Sequence, residues 1–282
     1  MSEPNSANQR ATNSRHDDWQ VNAERFTGFA APYDAYRPSP PVALPDLLMQ
    51  LARVARPKLV VDLGCGTGLS TRIWAERADQ VVGIDPSDDM LRQAVAMTSA
   101  ANVSYRHGLS HDTGLADHGA DLMTCSQALH WMEPAGTFAE AARVLRPGGV
   151  FAGYDCSWPP VTARWEVEPA YRSLMDRAAK LSVRHGLTQG LKQWRKEDHL
   201  PRMRESGRFR FVTEILLHSI ESGNAARLVG LALSQGVVAG LLKIGLSEAE
   251  IGVDDFRNTA ASVLGSEMTP WYFSCRVRVG IV

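Results

Sequence analysis

Asp62, Gly64, Gly66 and Gly68 have the types and spacing best suited to holding a ligand in this 282-residue chain. Val60 and Val61 lead into the acid, and 69–74 open a helical pattern. Glycines in such a strand–turn–helix unit lack a Cβ, so a ligand can approach bare backbone. Their spacing is GxGxG, whereas a dinucleotide pyrophosphate is met by GxGxxG and a P-loop needs Gly-Lys-Ser/Thr. An acid ahead of the first glycine repels a pyrophosphate and suits a ligand with a positive amino group. One strand later the apolar run 80–84 ends in Asp85. An acid at that place accepts hydrogen bonds from both ribose hydroxyls of an adenosine-type ligand.

A sheet must position these groups. Strands and helices alternate along the first half, the pattern of a parallel sheet with crossover helices. The spacing predicts a helix over 41–54, with Leu44, Leu47, Leu48, Leu51 and Val54 on one stripe. Strand one follows over 59–63 and its helix over 68–78. Strand two covers 80–84, and Ser87 caps a helix bearing Met90, Leu91, Ala94 and Val95. Strands over 103–106 and 120–125 and a helix over 134–144 come next. Arg146-Pro147-Gly148-Gly149 reads as a turn before a fifth strand over 150–154. After Trp158-Pro159-Pro160 the alternation stops. Residues 165–200 read as charged helix, 208–218 as a strand, 225–244 and 248–264 as helices, and 271–279 as a closing strand. The 225–244 helix has apolar residues on more than one side, fitting core packing, a greasy pocket wall or a dimer surface.

Asp62, GxGxG and Asp85 together resemble the cofactor site of the class I S-adenosylmethionine-dependent methyltransferases, over about 26–154 and more loosely to the C-terminus. Tyr33-Asp34-Ala35-Tyr36-Arg37-Pro38, the 108–115 segment and Gln127-Ala128-Leu129-His130-Trp131 sharpen the likeness. They are similar to the small-molecule branch that includes trans-aconitate methyltransferase and natural-product methyltransferases. One departure is Ser110-His111, where many relatives carry Ala-Glu. The resemblance implies an α/β, doubly wound Rossmann-like sheet of seven strands. Its last strand is antiparallel, and a helical cap is inserted after strand five. The implied division is a disordered tail over 1–18, an arm and helix over 19–57 and a cofactor-binding core over 58–158. The cap then covers 159–207, and the rest of the core sheet with its helices covers 208–282.

The implied activity is methyl transfer from S-adenosylmethionine to a small-molecule acceptor in specialised metabolism. It runs by in-line attack in a water-excluded pocket, so alignment matters most. Binding of S-adenosylmethionine without methyl transfer, or with another reaction on it, is the second reading. Asp62 attracts the cofactor's ammonium directly or by ordering the turn. Gly64, Cys65 and Gly66 bring backbone to the methionine and ribose parts, and Asp85 holds the ribose. Pro86 and Met90 pack on the adenine, Ser110 and His111 meet its edge, and Gln127 lies under the methionine portion. Tyr33 and Arg37 close over the cofactor, with Arg37 near a carboxylate. His130 is the candidate catalytic residue, as a base or for positioning. Trp131, Tyr154 and Trp158 are the candidate substrate contacts, and the acceptor is expected to be apolar, such as a prenyl or aromatic compound.

Lys and Arg (30) nearly balance Asp and Glu (31), so no basic footprint points to nucleic acid or an anionic membrane. The Asn/Asp-Pro-Pro-Tyr/Phe motif of base methylation is replaced by Ser126-Gln127-Ala128-Leu129. No apolar run reaches membrane-spanning length and the first residues are polar, which gives a cytoplasmic expectation. Cys65, Cys125, Cys156 and Cys275 form no CxxC pair. They read as small buried side chains in a reducing compartment, with no metal site. His185, His199 and His218 have no metal-ligand spacing.

Overall fold

The computed structural model describes residues 22, 28, 30–162 and 164–282; the expected tail over 1–18 lies outside them. Two helices open the described chain, α1 (Ala30–Tyr36) and α2 (Leu44–Ala52). Leu44 and Leu48, one turn apart, are fully buried, and Arg53 ends α2 in the left-handed conformation. Strands β1 (Leu59–Leu63), β2 (Gln80–Asp85), β3 (Val103–His107), β4 (Ala120–Ser126) and β5 (Leu145–Cys156) are joined with β6 (Phe211–Gly223) and β7 (Thr269–Ile281). They form one seven-stranded sheet in the order β3-β2-β1-β4-β5-β7-β6. The first five strands are parallel, and β7 is antiparallel to both its neighbours.

β1 is buried on both faces, which is why it reads as a continuous apolar run. Val60 points into one core with Leu44, Trp74 and Leu122, whereas Val61 and Leu63 enter the other with Phe138 and Phe151. Phe151→Ala would remove a fully buried ring, at about 3–5 kcal/mol. The chain leaves β1 toward β2 and β3, then returns to place β4 on β1's other side. That reversal opens a crevice past the carboxyl ends of β1 and β4.

The helices between strands are α3 (Asp88–Ala96), capped by Ser87 as expected, and α4 (Pro134–Val144), capped by Glu133. A third core joins the segment after β5 to the C-terminal helices. Tyr171 and Leu174 of α5 (Val167–Arg184) pack there with helices α7 (Ala225–Leu233), α8 (Gly236–Lys243) and α10 (Val253–Leu264). The short helices α6 (His199–Glu205) and α9 (Glu248–Ile251) complete the elements.

Four local expectations are corrected. The helix over 68–78 is a run of turns around a single 3-10 turn, Arg72–Trp74. Ser70 and Thr71 spend their hydroxyls on Asp62 there, and such side chains compete with the helical ladder. The turn at 146–149 lies inside β5, where the pairing with β4 shifts register between Ala120 and Leu122. The 225–244 helix is two helices bent by 70°. Arg37 takes the Ser234 carbonyl at that elbow (2.8 Å). The 248–264 helix breaks at Gly252, whose φ of 94° suits only glycine well. The cysteine expectation also changes: Cys156 and Cys275 form a disulfide, because the antiparallel register sets them directly opposite. Cys65 and Cys125 are free and buried. No single helix among the described residues is long and apolar enough to cross a membrane.

Candidate functional site

A cleft lies in the crevice between β1 and β4. The glycine turn forms one wall. Gly64 (φ 62°) and Gly66 (φ 53°) both adopt the left-handed region, but their surroundings differ. A Cβ on Gly64 would meet Ala128 Cβ at 2.6 Å and Met132 Cε at 2.7 Å. A Cβ on Gly66 would project into open space, the kind of bare backbone a ligand can touch.

Asp85 closes the turn from β2. Its Oδ2 accepts from the Gly66 N–H (2.9 Å) and its Oδ1 from the Ser87 N–H (2.8 Å). Burial pushes its carboxyl up to about 6, against the two N–H bonds. Asp62 lies beneath the turn and is fully buried. It is gripped by Thr71 Oγ1 (2.7 Å), Thr124 Oγ1 (2.8 Å) and Ser70 Oγ (3.3 Å). Burial pushes it, too, up to about 6, with the three hydroxyls opposing. These three hydroxyls tie Asp62 to the chain after the glycine turn and to β4. Both acids are satisfied by dipoles rather than by side-chain cations.

Pro86, Met90, Ser110 and His111 line the far end of this cleft, and Ser110 Oγ is fixed by Thr137 Oγ1 at 2.8 Å. Gln127, just past β4, holds a φ of 53°. A non-glycine residue is strained in that region. Its N–H is bonded to the Tyr154 carbonyl at 2.8 Å.

A second cleft lies under the cap, walled by Met175, Ala179, Val183 and Val237. Tyr33, Gln127 and Trp131 border both clefts, so the two meet there. Trp158 and His130 line only the second of these. Arg37 is stacked between Tyr33 and Trp158, with its guanidinium carbon 4.7 and 4.8 Å from the ring centres. It also donates to Ser234 Oγ (3.0 Å) and Gln235 Oε1 (3.2 Å). A smaller cavity between the clefts is lined by Cys65, Arg37, Tyr154 and Trp158. The Tyr154 hydroxyl bonds to Ser70, and burial makes it a far weaker acid than an ordinary phenol.

His130 sits in a 3-10 turn, Leu129–Trp131, 7% exposed, its ring 4.9 Å from that of Trp131. Its Nδ1 lies 3.9 Å from Asp155 Oδ1. Asp155 meets Lys196 Nζ at 2.9 Å and Arg278 Nη1 at 2.5 Å. Burial raises the Asp155 carboxyl, but Lys196, His130 and Arg278 outweigh it and leave the group below the usual carboxylate range.

The predicted residues thus divide between the clefts, with Asp62 behind the turn. Sequence reasoning missed Asp155 and Lys196. Asp155 had a signal, an acid inside the apolar run 150–156; Lys196 had none among the cap's many charges. Ser126, Ala128 and Met132 were also missed as lining residues of the first cleft.

Residues 61–153 match the family described as "Methyltransferase domain". The chain is 40% identical over 128 residues to an uncharacterised methyltransferase of Mycobacterium tuberculosis, covering 44% of this chain and 49% of that protein. It is 34% identical over 151 residues to an uncharacterised methyltransferase of Synechocystis, covering 46% of this chain and 70% of that one. The chain spans about half the length of the Mycobacterium relatives it matches. Among solved structures, a protein provisionally described as a type II methyltransferase from Anaeromyxobacter dehalogenans superposes with a TM-score of 0.60 at 24% identity. That match covers 87% of this chain and 98% of the other.

Proposed function

We propose, for a chain that belongs to the class I S-adenosylmethionine-dependent methyltransferases, that it methylates a small-molecule acceptor held under the cap. The observation that carries this reading is the junction of the two clefts at Tyr33, Gln127 and Trp131. One cleft has features that fit S-adenosylmethionine: a bare glycine backbone at Gly66 and a buried acid, Asp85, beside it. Asp85 would accept from the ribose hydroxyls, Pro86 and Met90 would pack on the adenine, and Ser110 and His111 would meet its edge. Tyr33 and Gln127 would hold the methionine end, with Arg37 near a carboxylate. Asp62 would order the turn, with Gly64 and Cys65 shaping it. When bound, S-adenosylmethionine supplies a methyl group already carried on a cationic sulfur.

The chain's own residues then align the acceptor and exclude water. Trp131 and Trp158 would border the acceptor, with the smaller Tyr154-lined cavity beside them. The apolar wall of Met175, Ala179, Val183 and Val237 supports an acceptor with an apolar body. His130 would take the acceptor's proton or fix its orientation. Specialised metabolism is the setting that the family resemblance implies.

The test is titration calorimetry with S-adenosylhomocysteine on the wild type and Asp85→Ala, followed by a mass-spectrometric screen for a 14-Da gain on candidate acceptors. Saturable binding weakened by the substitution, with a methylated product, is the expected result. Binding with no methylation of any acceptor would instead favour a protein that binds the cofactor for another purpose. No binding by folded wild type would end the reading.

A further inference from the structure

The segment 192–196 is stitched to the turn that carries His130. The Trp194 N–H donates to the His130 carbonyl at 2.9 Å. The Asn22 side-chain amide donates to the Trp131 carbonyl (3.2 Å) and the Lys192 carbonyl (2.8 Å). Lys196 follows, on the 3-10 turn Lys196–Asp198 that leads into α6. Its Nζ lies 2.9 Å from Asp155 Oδ1 and 3.3 Å from Gln127 Oε1. That same Oδ1 is the carboxylate oxygen recorded against His130 Nδ1 at 3.9 Å. One oxygen therefore stands between a cap lysine and the candidate base.

We infer that Lys196 is a positioning residue for His130: it neutralises Asp155, so that the imidazole is not fixed as that carboxylate's counter-ion and keeps its capacity to accept a proton from the acceptor. The inference rests on the proposed role of His130 at the acceptor cleft. The surrounding charges decide the sign. Arg278 of β7 holds Asp155 Oδ2 and, through Nε, Glu214 of β6 at 3.2 Å. Arg276 of β7 also meets Glu214, at 3.5 Å, so with Lys196 present two anions face three cations. Without it, the arginines still serve Glu214 and Asp155 Oδ2, but Asp155 Oδ1, the oxygen nearest the imidazole, loses its cation. Taking a cation away from a carboxylate within about 4–6 Å of a histidine favours the charged form of that histidine.

Further titratable groups of the described residues face this cluster. His199 of α6 is fully buried, and burial first, then Arg278, Arg202 and Lys196, push it down to about 4 against Asp155. It stays neutral near pH 7. Arg202 of α6 pairs with Asp198 at 3.2 Å. Asp176 of α5 lines the same cleft from the cap side and is common to every variant compared below. Lys196 also ties Gln127, which borders both clefts, to the Asp155 cluster. The cap thereby reaches the cofactor side through one ammonium group.

The experiment is an NMR pH titration of the His130 ring in histidine-labelled protein, assigned by its loss in His130→Gln. Wild type, Lys196→Met and Lys196→Arg are compared, with circular dichroism as the check on folding. Lys196→Met should raise the His130 midpoint by about one pH unit. Lys196→Arg keeps the cation and should return the midpoint to within about 0.3 of wild type. A midpoint that is unmoved or lowered in folded Lys196→Met overturns the inference, as does a rise that Lys196→Arg fails to reverse. S-adenosylhomocysteine binding is measured on the wild type in parallel. Its absence would defeat the methyl-transfer reading, while the electrostatic coupling is still decided by the titration.

Discussion

Asp85 and Asp155 are buried to nearly the same extent, 8% and 7% exposed, yet the protein answers their charge in opposite ways. Asp85 is met by two backbone N–H groups, and burial lifts it to about 6. Asp155 is buried as well, but Lys196, His130 and Arg278 hold it below the usual range. Hydrogen-bond dipoles orient a carboxylate without cancelling its charge; an ammonium and a guanidinium cancel it. The first arrangement leaves an acid ready for polar groups brought by a ligand. The second is complete before any ligand arrives, and its work is internal. The same division separates the cleft walled by the glycine turn from the cleft under the cap.

Substitutions that remove charge but keep shape should break the comparison most sharply. Asp155→Asn leaves Lys196 and Arg278 without their shared anion, so stability should fall by about 3 kcal/mol. Urea unfolding reads this directly. Asp85→Asn should lower stability by only about 1 kcal/mol, because relief of a buried acid offsets part of the loss when Nδ2 cannot accept one of the two backbone N–H bonds. Its affinity for S-adenosylhomocysteine should fall roughly 30-fold, about 2 kcal/mol, through lost charge-assisted hydrogen bonds. Equal loss of stability in the two variants would show that the two acids are not handled differently.

Acidity offers a milder contrast. Asp62 and Asp85 both sit at about 6, raised from an ordinary 3.8. Between about pH 4 and 6 the folded chain therefore holds protons that the unfolded chain has released. The contribution of these two acids to ligand-free stability falls as pH rises through that window. A ligand that prefers the ionised carboxylates works the other way. Affinity for S-adenosylhomocysteine should drop about tenfold from pH 7 to pH 5, measured by calorimetry with proton uptake followed in two buffers. A flat profile would mean that neither acid is sensed by the ligand.

A last contrast separates two glycines of one turn. Gly66→Ala should cost only about 1 kcal/mol, the penalty of a left-handed alanine, because its Cβ meets open space. Gly64→Ala adds a collision with Ala128 and Met132 and should cost about 3 kcal/mol. Thermal melts rank the pair, and ligand titration should show Gly66→Ala losing affinity out of proportion to its stability.

The glycine turn and Asp85 were legible because local sequence codes them: strand, bare turn and strand-end acid are each set within a few residues. Ser87 as a helix cap was legible for the same reason. The failures have physical causes. The helix expected after Gly68 lost to Ser70 and Thr71, whose hydroxyls serve an acid on β1. The 225–244 helix lost its continuity at Ser234 and Gln235, where Arg37, nearly two hundred residues earlier in the chain, takes their oxygens. Neither partner is visible in the local pattern.

The sequence by itself determined the parallel α/β alternation, the antiparallel closing strand as a resemblance, and the glycine turn with Asp62 and Asp85 as a candidate site. These follow from period-two and helical patterning and from backbone freedom at glycine, which act over short stretches of chain. Only the tertiary structure decided that Cys156 faces Cys275 across β5 and β7. It also decided that Lys196, Asp155 and Arg278 meet beside His130, from segments up to 123 residues apart. Strand register and cap packing bring such groups together. Both are set by the burial of whole faces, which no local run of residues encodes.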